Sequence, residues 1–226
     1  VFVFGIGLHS FEAVKETLSF HSIFVKEFWF TGGASHETST GINWATIFFI
    51  LGMMVMVEGM ARVGFFRWLC MRLAKMVNYK VKAIFVVFMI MSAVLAMFID
   101  SITVILFLAT VTIELSTLLK FNPLPMILSE IFCANLGGSA TMSGDPPNII
   151  IGTSFGYSFT DFICNTGVIA GISLIFTLVF FYVAYRKELK VSQTVDVSTF
   201  PTPESAITDK RGFVFSTIIF ITSIIL

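Results

Sequence analysis

Residues 137–148 read GGSATMSGDPPN and stand between LSEIFCANL and IIIGTSFGY, two apolar stretches that pattern as helix. Each flank is short. Residues 124–136 supply about 13 helical residues, roughly 20 Å of helix, and the apolar part after Asn148 supplies about 11 residues. Neither reaches across a hydrocarbon core of about 30 Å, whereas together they do. The glycine- and proline-rich stretch is therefore expected near mid-membrane. Irregular backbone at that depth cannot face lipid, so it must be buried in protein or line a watery cavity. The competing reading is an extramembrane turn between two interfacial helices, which leaves the shortness of both flanks unexplained.

Composition establishes the membrane. Hydrophobic residues make up 56% of the 226-residue chain and charged residues only 12%, with 27 phenylalanines. That balance predicts an all-α integral membrane protein rather than a soluble domain. The net charge of zero carries no information about partners. Both ends, VFVFGIGL and FVFSTIIFITSIIL, read as membrane helices cut short, so a piece of a longer protein is expected. The opening run lacks the small-residue cleavage site of a signal peptide. Cys70, Cys133 and Cys164 are read as buried thiols. His9, His21 and His36 match no zinc spacing, and no structural metal site is expected.

Residues 1–8 read as a helix tail and 9–41 as a polar, non-cytoplasmic loop. INWATIFFILGMMVMVEGMARVG reads as a span with Trp44 as its interfacial anchor. Residues 62–82 carry Arg62, Arg67, Arg72, Lys75, Lys80 and Lys82 and read as a cytoplasmic amphipathic segment. A second basic connection, 186–211, is placed on the same side. Between them lie a hairpin, 83–120, and a broken helix, 124–159. FICNTGVIAGISLIFTLVFFYVAY then reads as a full span.

At the break, Gly137-Gly138 are expected to end the first half-helix and free its last carbonyls. Asp145 reads as the N-cap of the second half-helix, with Pro146 where a missing N–H costs nothing. Carbonyls turned toward a cation, and amide hydrogens toward an anion, are how broken-helix secondary transporters build midplane sites. Ser139, Thr141 and Ser143 add hydroxyls, and Asn135 and Asn148 add amides; Gly144 belongs to the same set. Asp100, Ser101 and Thr103 form a second polar knot. If both hairpin arms span the membrane, Asp100 is a surface N-cap; if the hairpin is re-entrant, its tip joins the break. A charge at a helix centre costs about 2.5 to 3.5 kcal/mol by insertion scales, which makes a functional role the default for the re-entrant case. Glu114 and Glu130 are placed near the cytoplasmic surface in preference to the site.

These residues carry a resemblance. NLGGSATMSGDPPNIIIG resembles the signature of the ion transporter superfamily, in the branch of arsenite permeases, sodium/proton antiporters and P protein, which share a citrate transporter-like domain. NWATIFFILGMMVMVEGMARVGFFRWL, AVLAMFIDSITVILFLATVTI and PESAITDKRGFVFSTII are similar to neighbouring parts of the same branch. The resemblance implies an inverted-repeat, elevator-type fold, of which residues 1–226 are the N-terminal repeat. It also implies that the hairpin tip and unwound helix bind the ion or substrate, which here are Asp100, Ser101, Thr103, Asn135, Gly137, Gly138, Thr141, Asp145 and Asn148. Two positions depart from the pattern. The hairpin reads DSITV instead of Asp-Asn-x-Thr-Thr, and Thr110 stands where a proline is usual.

The expected function is secondary active transport of a small ion, an anion such as arsenite or a carboxylate, coupled to sodium or protons without another cofactor. Sodium/proton antiport is the alternative, and a membrane-embedded hydrolase or a non-transporting scaffold are remote ones. No phosphate-binding loop or catalytic constellation is present, so the chain is not read as an enzyme. Expected partners are the bilayer of a plasma or inner membrane, the small-ion substrate, the C-terminal repeat and, as an assembly, a homodimer. Nothing points to nucleic acid.

Overall fold

The computed structural model describes residues 44–189 and 203–225. The expectations for residues 1–41, and for 190–202 of the basic connection, lie outside the described residues. Two compact units are distinguished, Val1–Phe49 and Ile50–Leu226. Of the first, only the opening of one helix is described, with the Trp44 and Phe48 rings 6.0 Å apart. The second unit holds the remaining described helices.

Every described element is helical. They are α1 (Trp44–Arg62), α2 (Phe65–Met76), α3 (Val81–Ala96), α4 (Ser101–Leu119), α5 (Leu124–Ala140), α6 (Pro146–Phe155), α7 (Phe159–Tyr185) and α8 (Lys210–Ile225). A short 3-10 turn, Pro203–Ala206, precedes α8, and α7 contains a π-helical turn at Ile163–Gly167. By length and apolarity α4 and α7 can each cross a membrane, and α1 with α2 forms a bent pair, angled by 59°, that passes the same test jointly.

Sequence explains the bend. Gly64 adopts φ 83°, which only glycine takes without strain, and a Cβ there would lie 2.0 Å from the Ala206 carbonyl oxygen. Beyond it, α2 buries Phe66, Cys70, Met71 and Ala74 and exposes Arg67, Arg72 and Lys75. The buried residues recur at helical spacing, which makes α2 amphipathic. The Phe66 ring stacks on Phe107 of α4 with centroids 4.6 Å apart.

The core forms where α3, α4 and α5 pack together, with α2 and α7 against them. Ile84, Phe85, Phe88 and Met89 of α3, Leu108 and Leu115 of α4 and Met126 of α5 are fully enclosed. Ile172, Ile175, Phe176 and Val179 of α7 stay exposed, a surface that suits lipid rather than water. Cys70 and Cys133 are buried thiols, but Cys164 is exposed, because it sits on α7, whose membrane-length window is only 11% buried.

The helical break differs from its expected position. Gly137 and Gly138 do not end the first half-helix: α5 runs on to Ala140, and the interruption falls at residues 141–145. The glycines serve close approach instead. A Cβ on Gly137 would lie 2.0 Å from the Ala93 carbonyl oxygen, and one on Gly138 would lie 2.6 Å from Oδ2 of Asp145. Both half-helices remain short, since a 17-residue α5 and a 10-residue α6 each fall below a hydrocarbon core of about 30 Å.

Candidate functional site

Between the end of α3 and the start of α4 the chain turns at residues 97–100, and this tip meets the break between α5 and α6. Asp100 caps α4: its Oδ2 accepts from the Thr103 amide at 2.9 Å and from the Thr103 hydroxyl at 2.8 Å. Ser101 donates its hydroxyl to Oδ1 of Asp145 at 2.8 Å, and its amide points at the same oxygen at 3.4 Å. From the other side the Thr141 hydroxyl donates to the Met97 carbonyl, and Ser143 donates to it at 3.2 Å. Three side chains of the break therefore fasten the hairpin tip.

Asp145 occupies the N-cap position of α6 by its backbone, φ −128° and ψ 142°, yet its side chain makes no cap bond. The expected cap is corrected: the carboxylate crosses to Ser101. Pro146 and Pro147 open α6 without N–H groups, and the Asn148 amide hydrogen is taken by the Asp145 carbonyl at 3.0 Å. This end of α6 thus offers an anion fewer free N–H groups than a helix start without prolines.

Two of the carbonyls at the break are also engaged. Asn148 donates its side-chain amide to the Gly138 carbonyl at 2.9 Å and to the Thr141 carbonyl at 3.0 Å, bridging the two half-helices. Gly144 packs so tightly that a Cβ would lie 2.4 Å from the Gly138 carbonyl oxygen. Two other candidates stand apart: Asn135 and Ser139, one turn apart on α5, are exposed, and Ser139 donates to Leu136 of its own helix.

A cavity of about 300 Å³ opens beside the tip. Its polar lining includes Asp100, Thr103, Ser143 and Glu58; Gly144 and Pro146 add backbone, and aliphatic side chains of α1 complete the wall. Glu58 is a lining residue that sequence reasoning misses. Its signal is a single carboxylate inside an apolar span, masked by Arg62 four positions on, with which it pairs at 2.8 Å. Asp100 Oδ1 and Asp145 Oδ2 make no hydrogen bond among the described residues. No group of three His, Cys, Asp or Glu side chains that could hold a metal ion occurs among the described residues.

Glu114, placed near a basic surface, accepts from Arg67 of α2 at 2.5 Å. Glu130 is 1% exposed, enclosed in the helical core. Thr110 donates its hydroxyl to the Leu106 carbonyl one turn back at 2.8 Å.

An all-helical integral membrane protein with an interrupted helix fastened to a hairpin tip is the class these features define. The sequence pattern of the citrate transporter family, CitMHS, matches residues 20–226, and the chain belongs to that family. It is 37% identical over 131 residues to the 46 kDa membrane protein of Mycobacterium leprae, covering 58% of this chain and 30% of the relative. An uncharacterized transporter of Mycobacterium tuberculosis is 36% identical over 131 residues, with the same coverage. Human P protein is 34% identical over 110 residues, covering 49% of this chain and 13% of that protein. The chain thus spans about a third of the length of the mycobacterial relatives it matches. No solved structure matches it.

Proposed function

We propose that the chain is the N-terminal repeat of a secondary active transporter of a small ion, in an inverted-repeat, elevator-type fold. In this reading the hairpin tip and the 141–145 break form the ion site, completed by a C-terminal repeat. The observation that carries it is the junction of Ser101 with Asp145, which joins the two polar knots. Intramembrane carboxylates are costly and mark ion pathways by default. Membership of a citrate transporter family favours a carboxylate or similar small anion as substrate, coupled to sodium or protons.

One observation favours the second reading, sodium/proton exchange. Among the described residues, the cavity lining contains Asp100 and Glu58 and no basic residue. With two prolines at the start of α6, the geometry suits a cation better than a free anion. Both readings keep the cation at the tip and differ in what travels with it. Uptake of labelled citrate, arsenite and sodium by the full-length protein in liposomes separates them. Sodium movement alone selects exchange, and movement of none of the three overturns transport of these ions.

A further inference from the structure

Ten positions before the end of α5, about 15 Å along the helix from the break, a second carboxyl group is enclosed in the core. Glu130 is 1% exposed. Its Oε1 accepts from the Thr112 hydroxyl of α4 at 2.7 Å, and its backbone carbonyl accepts from the Ser92 hydroxyl of α3 at 2.7 Å. Its Oε2 is buried with no hydrogen-bond partner among the described residues. Two thiols, Cys70 of α2 and Cys133 of its own helix, are buried in the same helical core. From α3 and α4 the Ser92 and Thr112 hydroxyls reach it, and it makes no ion pair among the described residues.

Such a group has two forms. A carboxylate here would be a buried charge with one oxygen bare and no cation beside it, the least favourable arrangement a protein interior offers. A carboxylic acid needs only one neutral O–H to go unpaired. The helices that enclose it, α3, α4 and α5, are also those whose far ends build the tip and the break. A change of packing there would admit water to Oε2.

We infer that Glu130 is a proton-binding site separate from the knot, loaded in the packing seen here and emptied when α5 moves against α3 and α4. On release the Oε2–H bond breaks and its proton passes to admitted water. The electron pair stays on the carboxylate, which keeps the Thr112 hydroxyl as donor. This inference rests on the transport reading for its use as a coupling step, but not for the protonation itself.

The test uses the full-length protein in liposomes, wild type and Glu130→Gln. Infrared difference spectra over a pH titration should show a protonated-carboxyl C=O band at neutral pH. That band should disappear in Glu130→Gln and persist in Asp145→Asn. If the band is missing from the wild type, or survives in Glu130→Gln, the inference is overturned. Should Glu130→Gln fail to fold, Thr112→Val must shift the band, because it removes the donor on Oε1; an unshifted band overturns it equally. In transport, uptake of labelled citrate driven by a pH gradient should fall to that of protein-free vesicles in Glu130→Gln, while citrate–citrate exchange at equal pH continues. Gradient-driven uptake at the wild-type rate overturns the coupling role. If the wild type moves no citrate, citrate as substrate fails instead, and the infrared band alone decides the fate of Glu130.

Discussion

The hydroxyl of Ser101 donates to Oδ1 of Asp145 at 2.8 Å, across 44 positions of sequence. Through this bond the start of α4 and the start of α6 share a carboxylate that would otherwise cap its own helix. Ser101 supplies the donor, so the DSITV hairpin has a means of engaging the break.

Asp145→Asn keeps an oxygen for Ser101 but removes the charge. Transport of the coupling ion should be lost while the thermal unfolding midpoint in detergent changes little. Asp145→Ala deletes the acceptor as well, and should also lower stability by about 1–3 kcal/mol. Wild-type uptake in Asp145→Asn would remove the carboxylate from the site.

Gly137→Ala should be costly, because the added Cβ would meet the Ala93 backbone at 2.0 Å, which cannot yield without parting α5 from α3. Overpacking of this kind costs about 1–3 kcal/mol. Gly171→Ala on α7 meets nothing within 4 Å and should be neutral or stabilising by about 0.5–1 kcal/mol from helix propensity alone. Thermal melts of the two variants side by side check the contrast.

Asn148 bridges two carbonyls with one amide. Asn148→Ala frees both and should destabilise the break by about 1–3 kcal/mol. Asn148→Asp should be worse, since an ionised carboxylate only accepts and would face two carbonyl oxygens. An aspartate variant as stable as wild type would contradict the bridge.

Glu114→Gln is expected to leave transport intact. The Arg67–Glu114 pair is partly solvated, with side chains 53% and 30% exposed, and such pairs contribute about 0–1 kcal/mol. Loss of uptake in that variant would move Glu114 from a surface tie into the pathway.

The range of the forces involved separates what sequence discloses from what it hides. Local chemistry is legible: the helical spacing of Phe66, Cys70, Met71 and Ala74 marks the buried stripe of α2, and Pro146-Pro147 marks a helix start. Distant partners are not. Gly137-Gly138 resemble helix breakers in isolation, but their role depends on Ala93 and Asp145, which the local sequence cannot place. Two carbonyls at the break, those of Gly138 and Thr141, are satisfied by Asn148 from the following helix. Glu58 and Glu130 both interrupt apolar runs, and only the packing distinguishes a cavity wall from a core.

The transport reading requires that residues 141–145 lie within the membrane yet meet water and ion there. A single spin label at Ser143→Cys probes this, in full-length protein in liposomes with Cys70, Cys133 and Cys164 replaced. The expected result is a depth near the bilayer centre, with access to a water-soluble relaxant that falls when sodium or citrate is added. A label as freely accessible as one on an aqueous loop, and indifferent to both ligands, would refute it.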